Sequence, residues 1–323
     1  MKETWNVLYR GSLSSCNYGC PYCPFAKTRN TRAELEKDRA ALNSFVDWVE
    51  QQAPRSMGIL FTPWGEALVR SYYQEAFTRL SWMPHVYRVA AQTNLSFQTE
   101  WLSNVCTDTA GLWATYHPGE TTQERFLDAC EHLTRLHIRF SVGVVGLKEH
   151  IPQMEVLRTE LPEHIYLWVN AYKRDDAYYA PEDIERIRRV DPYFGFNAVA
   201  YPSRDLPCRA GSTSFTVDAQ GDVRRCHFIP KVIGNISDPH FASLLRPTLC
   251  TNDRCRCHIG YIHRIDPNLY ALFSKGILDR IPEDWPNIQP SFSNRAALQE
   301  TQLLPPTNSR VQESYPAHES PFS

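Results

Sequence analysis

Three cysteines lie close together near the start of this 323-residue sequence, in the run Cys16-Asn17-Tyr18-Gly19-Cys20-Pro21-Tyr22-Cys23. The spacing is C-x3-C-x2-C. Three thiolates on one loop can hold three corners of a four-iron four-sulfur cubane. The fourth iron then has no protein ligand from this segment and is open to a small chelating molecule. Structural zinc is the competing reading, but it prefers paired C-x2-C units that total four ligands. A second group contains Cys208, Cys226, Cys250, Cys255 and Cys257. The first two flank a turn at Gly221, and the last three read C-x4-C-x-C before His258. Four of these thiolates, with or without His258, would also satisfy tetrahedral zinc. Cys106 and Cys130 stand apart and read as small core residues.

Ten cysteines are many for a chain whose N-terminus lacks the apolar core of a secretory signal. Grouped thiols without a signal favour metal over disulfide. The formal net charge is -2 and no long run of one sign occurs, which removes bulk-charge binding to nucleic acid or anionic membrane. No apolar stretch reaches membrane-spanning length. The expectation is a soluble, cytoplasmic protein.

The elements that must position these residues alternate. Strands are expected at Val7-Leu8-Tyr9, 58–62, 86–91, 112–116, 138–145 and 165–170. Helices are expected at 32–52, 71–81, near 98–104, and at 121–136, 149–160 and 181–189, with Thr121 or Thr122 capping the fourth. Six strands alternating with helices predict parallel pairing and an α/β partial barrel of six units, (β/α)6. Its polar punctuation falls at the strand ends: the cysteine loop, Gly65, Glu66, Asn94, Thr115 to His117, Gly146 and Asn170. From about residue 196 the alternation stops. A hairpin is expected over 214–226 and a further helix over 266–280. The organisation is therefore a barrel over 1–195, a small cysteine-rich hairpin and helix domain over 196–283, and an extended Pro/Ser-rich tail over 284–323.

The cysteine loop, with Tyr22 before its last cysteine and a strand before its first, resembles the signature of the radical S-adenosylmethionine (radical SAM) superfamily. Two further motifs are similar. Trp64-Gly65-Glu66 follows strand two where the family has Gly-Gly-Glu, and Val142-x-Val144-x-Gly146-x-x-Glu149 marks strand five without the family's leading Gly. The second cysteine group resembles the SPASM/twitch extension behind many such barrels, in its shorter form with one auxiliary four-iron cluster. The resemblance implies that Cys16, Cys20 and Cys23 hold a cluster whose open iron chelates S-adenosylmethionine. It implies reductive cleavage to a 5′-deoxyadenosyl radical and hydrogen abstraction from substrate.

Residue chemistry and strand-end position suggest roles around that centre. Glu66 would accept the methionine ammonium, with Gly65 allowing close backbone approach. Tyr22, Val144 and Gly146 would lie against adenine, and Asn94, Thr115 and Asn170 are candidate ribose or carboxylate contacts. Cys208 and Cys226 would ligate the auxiliary cluster with two of Cys250, Cys255 and Cys257, the last two favoured. His117 and Arg10 are the candidate catalytic residues on the substrate side. Tyr172, Asp175 and Asp176 are weaker acid/base candidates, and His227 and His258 neighbour presumed ligands. The implied activity is an oxidoreductase acting on a small molecule or a peptide, supplied with electrons by a flavodoxin or ferredoxin. A ribosomal-peptide maturase and a non-catalytic iron–sulfur or zinc protein are the alternatives.

Overall fold

The computed structural model of the protein describes residues 3–25, 28–173, 175 and 177–286. Six strands, β1 (Trp5–Tyr9), β2 (Met57–Phe61), β3 (Val86–Thr93), β4 (Ala110–Tyr116), β5 (Arg139–Gly146) and β6 (Leu167–Ala171), are neighbours in chain order. Every pairing among them is parallel. Parallel neighbours need crossovers, and helices supply most of them. These are α1 (Arg32–Gln51), α2 (Ser71–Ser81), α3 (Gln123–Arg135) and α4 (Ile151–Glu160); α5 (Pro181–Val190) follows β6. Thr31 and Glu34 close a capping box on α1, and Thr122 caps α3. The helix expected near 98–104 is a 3-10 turn, Glu100–Asn104.

Side chains alternate across the sheet. Val7, Ile59, Val89, Leu112, Val142 and Val169 pack in the core that includes the helices. Leu8, Leu60, Ala90, Trp113 and Trp168 lie in a second core on the other face. The sheet is thus buried on both sides, as a parallel sheet requires. The six-unit partial barrel expected from the strand pattern is the architecture found.

Beyond α6 (Phe194–Ala198) come short strands: β7 (Tyr201–Pro202), β8 (Pro207–Cys208), β9 (Ser214–Val217), β10 (Asp222–Arg224) and β11 (Val232–Asn235). The hairpin β9–β10 does not stand apart. β9 pairs in parallel with β1, so the barrel sheet continues into β10 and β11 to make nine strands. Next come β12 (Thr248–Leu249) and β13 (Arg254–Cys255), each pairing antiparallel with a two-residue partner, β8 and β7. Two short helices follow, α7 (His258–Tyr261) and α8 (Leu269–Phe273).

The helix expected over 266–280 is not formed as one piece. Asn268 and Ser274 adopt positive φ, 48° and 42°, which interrupts right-handed winding on both sides of α8. The apolar spacing in this stretch serves another purpose. Leu269, Phe273, Ile277 and Leu278 pack with Trp113, Tyr166 and Trp168 on the inner face of the barrel. Asp279, fully buried, is held by Arg139 at 2.6 Å and Arg88 at 3.7 Å, and its carbonyl accepts from Ser141 Oγ. Arg280 lies 4.1 Å over the Trp168 ring. A buried carboxylate is tolerable only with such partners. The segment after the last cysteine therefore fills the barrel interior. Of the tail expected from 284, residues 287–323 lie outside the described residues. Among the described residues no helix is long and apolar enough to cross a membrane.

Candidate functional site

The chain leaves β1 at Arg10 and turns into the first cysteine loop. Side chains of α1 and the loop before it pin the approach. Asp38 accepts from Ser12 N at 2.7 Å, and Asn30 accepts from Ser14 N and Ser15 N at 2.9 Å each. The loop then lies directly on the turn after β2. Gly65 N donates to Leu13 O and Glu66 N to Ser15 O, both at 3.2 Å. A Cβ on Gly65 would fall 2.0 Å from Ser15 O, so this approach excludes any side chain there.

The ends of β2 to β5 then meet the cysteine loop. Glu66 is buried and accepts from Thr93 Oγ1 (2.7 Å), Asn94 N (2.7 Å) and Leu68 N (3.2 Å). Burial pushes its carboxyl up to about 7 against those three bonds. A carboxylate offers roughly four acceptor sites, so about one remains. Asn94 Nδ2 donates to Asn17 Oδ1 at 3.2 Å and lies 3.8 Å from Cys16 Sγ. His117 Nδ1 is 2.9 Å from Tyr22 OH and 3.5 Å from Cys20 Sγ, and burial lowers the imidazole to about 4. Tyr22 also meets the His150 ring edge-on at 5.9 Å.

Other expected residues fall differently. Val144 is fully buried in the core shared with the helices, so only its backbone fronts the mouth of the barrel. Thr115 and Asn170 share a face with Trp113 and Trp168 and look inward. Gly146 O accepts from Tyr179 OH at 2.6 Å. Asp175 bonds Ala177 N within its own loop, and Asp176 lies outside the described residues. Residues not singled out from the sequence also matter. Asp38 and Asn30 hold the loop approach, and Glu120 accepts from Gly19 N at 3.0 Å. Lys173, after β6, reaches Arg256 O at 2.5 Å and Val199 O at 3.2 Å. Its place after a strand end was the available signal.

Solved structures share this fold. Native anSMEcpe with bound AdoMet and Cp18Cys peptide superposes with a TM-score of 0.51 at 15% identity, covering 75% of this chain and 80% of that one. A hexahistidine-tagged anSMEcpe with bound AdoMet gives 0.52 at 15% identity, covering 81% of each chain. The chain has the fold of these AdoMet-bound structures. No family model matches the sequence, and no curated protein matches it either.

Two groups of thiol donors sit in this fold. None of the ten cysteines is tied up in a disulfide among the described residues. Cys23 is close enough for its charge to act on both Cys16 and Cys20. The backbone N–H of Tyr18 points at Cys16 Sγ at 3.4 Å, as a thiolate ligand favours. Burial raises the Cys16 thiol and takes Cys20 to about 11, so metal binding there must displace protons. Among the described residues no three Cys, His, Asp or Glu side chains converge on one point for a single ion. A cubane asks instead for one thiolate per iron.

The second cysteine group gathers as well. Cys208, Cys226, Cys250, Cys255 and Cys257 all line one cavity of about 290 Å3, with Phe228 beside them. Burial raises Cys226 to about 11 and Cys255 to about 12. Ala210 N points at Cys208 Sγ at 3.4 Å, and Phe228 N bonds Cys226 in the same way. Arg225 ties the hairpin to β12 by donating to the carbonyls of Thr248 (2.8 Å) and Leu249. Arg10 faces this group from the barrel. Its guanidinium lies 5.9 Å over Trp64, burial lowers it to about 10, and the nearby Cys257 opposes that shift.

Proposed function

We propose that this protein is a radical SAM enzyme with one auxiliary four-iron cluster. The observation that carries the proposal is the loop of Cys16, Cys20 and Cys23 at the C-terminal end of β1, enclosed by Glu66, Asn94 and His117 from the next three strand ends. When bound, the cluster and S-adenosylmethionine would supply an electron and a hydrogen-abstracting nucleotide group.

The chain's own residues do the positioning. Three thiolates would hold the cluster, and the loop has no fourth thiol for the remaining iron. Glu66, fixed by three hydrogen bonds, keeps about one acceptor site for the methionine ammonium. Tyr22 and His117 cover Cys20 and keep water from it. Thr115 and Asn170 offer polar groups on the inner face, and the Val144–Gly146 backbone borders the same mouth. The 258–281 segment closes the barrel from within, so substrate enters at the strand ends beside Arg10.

The auxiliary cluster, a barrel over 1–195 with an extension over 196–283, a flavodoxin or ferredoxin donor and a cytoplasmic setting belong to the same proposal. Oxidation of a small hydroxylated molecule fits a second cluster able to accept an electron. A peptide substrate is the second reading, since native anSMEcpe binds the Cp18Cys peptide within a related fold.

The test is anaerobic reconstitution with iron and sulfide, then reduction with dithionite in the presence of S-adenosylmethionine. The proposal expects 5′-deoxyadenosine and methionine. Bound iron without any 5′-deoxyadenosine would support the non-catalytic alternative instead.

A further inference from the structure

Five thiols line the second cavity, but a four-iron cluster held only by cysteine takes four. The five are not equivalent. Cys208, Cys226, Cys250 and Cys255 are half-buried, whereas Cys257 is exposed. The four come from the ends of separate strands: Cys208 ends β8, Cys226 follows β10, Cys250 follows β12 and Cys255 ends β13. Each is near enough to the other three for their charges to interact. Cys255 feels Cys226 and then Cys257, followed by Cys208 and Cys250; Cys226 feels Cys208 and Cys250; and Cys208 feels Cys250. All pairs within the tetrad are thus accounted for. Exposure, rather than proximity alone, is therefore what separates Cys257 from the other four. Cys255 is also seated against α7, where a Cβ on Gly260 would stand 2.9 Å from its Sγ.

Cys257 lies near Cys255, two residues before it, and groups on the barrel side also feel it. These are Arg10 after β1, Lys173 after β6, and Tyr261. Lys173 is held in place by its bond to the neighbouring Arg256 carbonyl and lies 5.0 Å over the Tyr261 ring. Arg10 and Lys173 follow the C-terminal ends of β1 and β6, at the mouth of the barrel.

We infer that Cys208, Cys226, Cys250 and Cys255 hold the auxiliary cluster, and that Cys257 remains a free thiol facing the barrel mouth, where substrate enters. This rests on the proposed auxiliary cluster. It replaces the pairing of Cys255 with Cys257 that their closeness in sequence favours. The thiol is near enough to Arg10 and Lys173 for its charge to act on both, which puts it on the substrate side of the chamber.

The test uses full-length protein reconstituted anaerobically to about eight irons per chain, two four-iron clusters. Brief iodoacetamide treatment, followed by unfolding and peptide mass spectrometry, reads which thiols were open. The inference expects Cys257 to be alkylated and the tetrad protected. Iron counting on variants gives an independent reading: Cys257→Ser retains about eight irons, and Cys250→Ser about four. Protection of Cys257, with loss of about four irons in Cys257→Ser and none in Cys250→Ser, would overturn it. A wild-type chain that binds only about four irons, all lost in Cys20→Ala, would remove the auxiliary cluster and this inference while leaving the first cluster's role intact.

Discussion

The two cysteine groups reach their geometry by opposite routes. Cys16, Cys20 and Cys23 are neighbours in the chain, and a single loop brings them together. The barrel only has to hold that loop down, through Gly65, Asn30 and Asp38. The second group spans residues 208 to 257 and converges only because a hairpin joins β1 and two small antiparallel pairs fold over it. Ligands grouped on one loop can be read from spacing. Ligands gathered by tertiary structure can be counted from sequence, but not sorted into those that bind and those that do not.

The largest effect that could break this contrast is expected from Cys20→Ala. It should abolish 5′-deoxyadenosine formation and remove about four irons while leaving the second cluster's absorbance. Loss of both clusters would mean that the two groups are not separable. Next is Asp279→Ala, which orphans Arg88 and Arg139 beneath the segment that fills the barrel. Arg139 is partly exposed, so the expected cost is about 3 kcal/mol, the low end for breaking a buried pair. Denaturant unfolding measures it, and an unchanged midpoint would show that the segment does not brace the barrel.

Gly65→Ala should cost about 1–3 kcal/mol through the clash with Ser15 O, and should lower occupancy of the first cluster more than the second. Equal loss from both clusters in iron counting would contradict the local role given to Gly65. The smallest effect is expected from Arg225→Met. It removes two bonds to the carbonyls of β12, about 1–2 kcal/mol, and should slow assembly of the second cluster alone. Parallel absorbance traces for both clusters would check it.

The barrel was legible because each strand is a short apolar run ended by a turn signal, and the helices between them keep a helical apolar period. The first loop was legible for the reason given above. What escaped is nonlocal. The apolar spacing at 269–278 suits a helix, but the groups it packs against, Trp113 and Trp168, are distant in sequence. Val144 carries a motif position, yet strand alternation turns its side chain toward the helices. Lys173 follows a strand end, but its bond to the Arg256 carbonyl joins positions far apart in the chain.

The most direct measurement is electron paramagnetic resonance of the anaerobically reduced protein, with and without S-adenosylmethionine. An iron with an open coordination site should change its signal when the sulfonium ligand binds, and Cys20→Ala should lose that responsive signal. A wild-type spectrum indifferent to S-adenosylmethionine would contradict the claim that the first loop leaves an iron open to it.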